Sequence, residues 1–158
     1  MSGRAMEPLT KAHLSHLGAL AARDRERLFA RCPHLAIYRE RLLCVALCQG
    51  GALHYVDGCN GVKDLDVWSF YASGPGPQYP PRRKAHATYP ASGLTGWSER
   101  VDLLGRYIDL VADPDPVAHL LHNLRTQPTY SARCLAEKAV VLIEPHARLG
   151  EVIWPEPL

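Results

Sequence analysis

The chain has no long hydrophobic run. Its longest apolar stretches, such as Leu42 to Cys48 and Ala139 to Ile143, fall far short of the ~20 residues that span a bilayer, so the sequence predicts no membrane partner. The start, Met1-Ser2-Gly3-Arg4-Ala5-Met6-Glu7-Pro8, lacks the apolar segment of a secretory signal. Charge of one sign is also missing: 18 Lys and Arg stand against 16 Asp and Glu, for a net charge of +2. That excludes a polycation and leaves only local basic patches. A cysteine motif is missing. The five thiols, at positions 32, 44, 48, 59 and 134, are odd in number and include no Cys-x-x-Cys, which points to reduced thiols in a cytoplasmic protein rather than to disulfides or structural zinc. No internal repeat is visible.

What is present is 158 residues with 47% apolar and 22% charged side chains, the size and composition of one folded domain. Three stretches divide it. Residues 1–40 read as helical, with Thr10 as N-cap and Leu14, Leu17, Leu20 and Ala21 at helical spacing. Residues 23–27, Arg-Asp-Arg-Glu-Arg, read as a solvated face of that helix. Residues 41–112 hold short apolar runs fit for buried strands, at Leu42 to Leu47, Val62 to Tyr71 and Arg100 to Leu104, with a short helix near Ala52 to Val56. Residues 73–97, rich in Gly and Pro, read as one long loop carrying Arg82, Arg83 and Lys84 between Tyr79 and Tyr89. Residues 113–158 predict helices capped near Asp115 and near Thr129 or Ser131, then strands at Ala139 to Ile143 and Val152 to Trp154. The expected class is α+β, a mixed central sheet with flanking helices.

The stretch that carries chemistry is Gly50-Gly51 followed by Asp64-Leu65-Asp66-Val67. Side chains alternate along a strand, so Asp64 and Asp66 share a face with Cα atoms about 7 Å apart. Carboxylates so placed suit a hard divalent cation such as Mg²⁺ or Mn²⁺, which completes its shell with water and substrate phosphates. The only Gly-Gly of the chain ends one strand and opens a helix, where bare backbone N–H groups and the positive helix end can hold a phosphate. Lys63 falls on the opposite strand face and reads as structural. His119 with His122, and Cys44 with Cys48, lack further ligands and read as ordinary packing.

This pattern resembles the signature of the polymerase β-like nucleotidyltransferases: an apolar residue, Gly, Gly or Ser, a short gap, then Asp-apolar-Asp-apolar. Here the gap is residues 52–63, and Gln49 stands where the family carries an apolar residue. The likeness covers about residues 42–104. It implies a small single-domain member with a nucleotidyltransferase-like mixed sheet, and a third acid on a later strand, for which Val101-Asp102-Leu103 is the best match.

On that resemblance Asp64, Asp66 and Asp102 are the catalytic and metal-holding residues, with Asp102 able to serve as general base. Gly50 and Gly51, with Arg82, Arg83 and Lys84, would hold the nucleotide. The implied reaction moves a nucleoside monophosphate from a nucleoside triphosphate to an acceptor hydroxyl (on a small molecule, RNA or protein) with release of pyrophosphate. A homodimer or a toxin–antitoxin partner is compatible with it.

Two other readings stand beside this one: a non-catalytic nucleotide-binding or regulatory protein on the same scaffold, and an α+β domain in which Asp64 and Asp66 merely cap a turn. A haloacid-dehalogenase-type phosphatase is set aside because Asp66 is followed by Val67-Trp68 and not by x-Thr.

Overall fold

A computed structural model describes residues 7–79, 83–88 and 100–157, apart from the side chains of Arg83 and Thr88. Helix α1 (Lys11–Arg31) starts where the sequence places it. The Thr10 Oγ1 accepts from the His13 N–H, and the His13 Nδ1 accepts from the Thr10 N–H at 2.8 Å. Histidine thus fills the position that glutamate usually takes in such a reciprocal cap. A 3₁₀ segment, Pro33–Arg41, leads into β1 (Leu42–Cys48), α2 (Gln49–Asp57) and β2 (Asp64–Ala72). Next come β3 (Arg83–Thr88), β4 (Arg100–Ile108), α3 (Pro116–Thr126), α4 (Tyr130–Ala136), β5 (Ala139–Glu144) and β6 (Val152–Trp154).

Among the described residues the strands form one six-stranded mixed sheet in the order β3-β4-β2-β1-β5-β6. Only β2 and β4 run parallel; the other neighbours are antiparallel. The expected α+β class is what the structure shows.

Each face of the sheet has its own core. On one, Leu14, Leu17 and Ala21 of α1 and Ala52 of α2 pack on Val45, Leu47, Leu65, Val67, Val101 and Val141. On the other, Val117, Leu120 and Leu124 of α3 and Leu135 of α4 cover Ala46, Trp68, Phe70, Leu104 and Leu142. Strands β1 and β5 read as nearly unbroken apolar runs because both of their faces are buried.

Two expectations are corrected here. Arg25 is not on a solvated face. It is buried, its Nη1 donates to the Ser69 Oγ at 3.2 Å and its Nη2 lies 3.5 Å from the Glu144 carboxylate. Four residues after Ala21 and three before Leu28, it falls on the same stripe as the core residues, and polar partners on the sheet accept it there.

The long loop expected at 73–97 is not one loop either, because Arg83–Thr88 is an edge strand paired antiparallel with β4. Its N-terminal part is tied down as well. The Tyr38 hydroxyl donates to the Pro77 carbonyl at 2.7 Å and accepts from the Tyr79 N–H at 3.0 Å, and Tyr79 is buried. The Gly and Pro content masks this anchoring, which comes from a distant tyrosine.

Candidate functional site

The site lies at one end of the sheet, where β1 finishes, β2 begins and β4 begins. Strand β1 runs into α2 with Cys48 beside Asp66. Its last step is made by Gln49, whose φ of 60° is the left-handed region that a non-glycine residue adopts at some cost. Gln49 also forms a bridge with Ala139, which draws the start of β5 and the preceding Lys138 to the same end.

Helix α2 stops at Gly58 in a left-handed cap. The return to β2 is then held by Asp57, whose Oδ1 accepts from the N–H groups of Cys59 and Asn60. His54 completes it from inside. Its Nδ1 accepts from the Gly61 N–H at 2.9 Å, so Nε2 carries the proton and donates to the Glu7 carbonyl at 2.7 Å.

In the parallel pairing Asp66 stands directly opposite Asp102, and Asp64 opposite Arg100. Neighbouring strands are about 4.8 Å apart. Asp64 and Asp66 have the same parity as Trp68 and Phe70, and Asp102 the same as Leu104, so all three acids are on the α3/α4 face. The third carboxyl is therefore beside its companions, on their side of the sheet.

The charges are unevenly compensated. Burial pushes the Asp66 carboxyl up, and the neighbouring Asp64 and Asp102 push it further, to about 6. Burial acts in the same sense on Asp102, but hydrogen bonds from His86 and Arg100 and the charge of Lys84 outweigh it and hold that carboxyl below its ordinary value. The Asp102 Oδ1 accepts from the His86 Nδ1 at 2.8 Å and the Arg100 Nε at 2.9 Å, and the Lys84 Nζ lies 3.7 Å from its Oδ2. Burial, with Asp66 second, raises the Cys48 thiol well above its usual range, so it is an inert neighbour and not a nucleophile.

Gly50 lines a cleft of about 180 Å³ together with Gln49, Lys63, Asp64, Asp66 and Lys138. A Cβ on Gly50 would meet nothing nearer than the Asn60 Nδ2 at 3.7 Å, so its backbone is bare toward the cleft. Gly51 faces the other way: a Cβ there would come 3.0 Å from Leu65 and 3.3 Å from Leu47. Its lack of a side chain lets α2 lie on the sheet.

Lys84 is held at Asp102 rather than in this cleft. Arg83 enters the sheet through its backbone pairing with Gly105, and Arg82 lies outside the described residues. The cations that line the cleft are Lys63 and Lys138, which the sequence reading missed. Lys63 precedes the first paired residue of β2, so strand alternation does not govern it. Lys138 arrives only through the pairing of β5 with β1.

Hard oxygen donors crowded on one face, with the Asp66 carboxyl pushed up by burial and then by like charge, form a donor set that a divalent cation would relieve. Among the described residues no three His, Cys, Asp or Glu side chains already converge as ligands, since Asp102 is turned toward Arg100 and His86. Comparisons with family models, curated proteins and solved structures find no match to this chain. The geometry carries the functional argument alone.

Proposed function

We propose that the chain is a metal-dependent nucleotidyltransferase, moving a nucleoside monophosphate from a nucleoside triphosphate to an acceptor hydroxyl with release of pyrophosphate. The observation that carries this reading is the placement of Asp66 opposite Asp102, on one face with Asp64, beside the bare backbone of Gly50. Asp64 and Asp66 would hold Mg²⁺ or Mn²⁺, with Asp102 as the third donor. When bound, the ion neutralises triphosphate charge and stabilises the entering and leaving oxygens.

Lys63 and Lys138 attract the phosphates, and the N–H groups at the start of α2 orient them. Catalysis then rests on positioning and charge, with no covalent intermediate. The five free thiols suit a reducing cytoplasm. Among the described residues no helix is long and apolar enough to cross a membrane.

The saturation of Asp102 by Arg100, His86 and Lys84 favours a second reading, a nucleotide-binding protein that does not turn over. Thermal unfolding with MgCl₂ and α,β-methylene-ATP tests the binding shared by both. The intact protein is expected to gain about 2.7 kcal/mol at a ligand concentration near 100 times Kd, and the Asp64→Ala/Asp66→Ala variant to gain nothing. No shift in the intact protein would remove both readings. A shift without release of pyrophosphate from ATP would leave the second.

A further inference from the structure

A second cleft, of about 370 Å³, opens on the other side of Asp66 and is lined by Asp66, Trp68, Leu104, Tyr130, Ser131 and Leu135. From Lys63 into β2 the two clefts are consecutive: Lys63, Asp64 and Asp66 border the first, and Asp66 and Trp68 the second. Gln49 and Asp66 border both. Their chemistry differs. The first cleft carries two ammonium groups, whereas no Lys or Arg is among the described residues lining the second.

An in-line displacement at phosphorus places the attacking oxygen opposite the leaving group. The anionic leaving pyrophosphate belongs with Lys63 and Lys138, which puts the attacking hydroxyl on the Trp68 side. We propose, resting on the nucleotidyltransferase reading, that this second cleft is the acceptor site and takes a small, non-anionic alcohol with a flat apolar body. A polynucleotide would bring a row of phosphates that need cations, and the described residues lining the cleft include none.

Two further observations favour such an occupant. Trp68, Leu104 and Leu135 give the cleft a wall of flat and apolar side chains, and the buried Trp68 Nε1–H has no hydrogen-bond partner among the described residues. At the rim, Tyr130 is 75% exposed, a large aromatic ring with the Arg133 guanidinium 5.8 Å over one face. In the reaction the acceptor oxygen forms a bond to the α-phosphorus as the bond to pyrophosphate breaks, and the hydroxyl proton is released to solvent.

The test uses nucleoside triphosphates radiolabelled at the α-phosphorus, with MgCl₂ and a cell extract divided into small-molecule filtrate, RNA and protein. The intact protein is expected to label a compound in the filtrate. Ser131→Trp, which fills the cleft, is expected to cut that labelling about tenfold while α,β-methylene-ATP binding stays within about twofold. Tyr130→Ala, at an exposed position that does not threaten folding, is expected to lower it several-fold.

Label confined to RNA or protein, or labelling that both variants leave intact, overturns the acceptor assignment and leaves the transferase reading standing. So does a tenfold loss of α,β-methylene-ATP binding in Ser131→Trp, which would make the cleft a nucleoside pocket. Binding of α,β-methylene-ATP with no label in any fraction overturns both the assignment and the transferase.

Discussion

Asp66 and Asp102 are adjacent in space and opposite in character. One is pushed toward its neutral form by burial and by two other carboxyls, while the other is held ionised by an imidazole, a guanidinium and an ammonium. Linkage gives the first a measurable signature. The unfolded Asp66 titrates near 3.8 and the folded one near 6, so between these values the folded chain binds more protons. Its stability then falls as pH rises. The contribution is fully present below the unfolded value and lost as pH climbs through the folded one.

In the absence of divalent cations, Asp66→Asn is therefore expected to gain on the parent by about 1–2 kcal/mol across this window, after discounting for solvent screening. Urea melts at a series of pH values check this. A difference between the two proteins that stays flat with pH would mean that Asp66 is not crowded by charge.

At the scale of elements, close approach of backbone decides what the site rests on. Helix α1 lies on β5 because Gly18 has no side chain: a Cβ there would come 2.7 Å from the Ile143 Cγ2. Gly18→Val is expected to cost about 1–3 kcal/mol through overpacking, seen as a lower urea midpoint with an unchanged slope. It should leave the Mg²⁺-dependent stabilisation by α,β-methylene-ATP intact, since α1 meets the sheet on the face opposite the acids.

Helix α2 depends on a different device. His54, buried between the Gly61 N–H and the Glu7 carbonyl, fixes the turn that delivers Asp64 to β2. Nothing in its local spacing marks it, because both partners lie outside its own element.

At the scale of the molecule, one sheet separates two apolar cores and shares every central strand between them. Neither core can lose its helices without exposing strands that the other also packs against. Unfolding is accordingly expected to be a single transition, with far-ultraviolet circular dichroism and tryptophan fluorescence coinciding in one urea melt. Separated midpoints would show that the α1 side and the α3/α4 side are independent units.

The same topology builds the site. The parallel pairing of β2 with β4, around the edge strand β3, sets Asp102 opposite Asp66, and the pairing of β5 with β1 brings in Lys138.

Local pattern was enough for much of this. The Thr10 cap, the strand that begins at Leu42 and the shared face of Asp64 and Asp66 all follow from rules that act within a few residues, namely capping and alternation; the bend after that strand falls on Gln49 and not on the glycines, which lie inside α2. Strand β3, the sheet partners that accept Arg25, the arrival of Lys138 and the capture of Asp102 by His86 were beyond the reach of local pattern. Each depends on which strand lies beside which, and strand pairing joins residues far apart in the chain whose local sequence carries no record of the partner. The chain alone determined which acids stand on one face of β2; only the folded sheet decided that a third stands next to them, and which cations gather round.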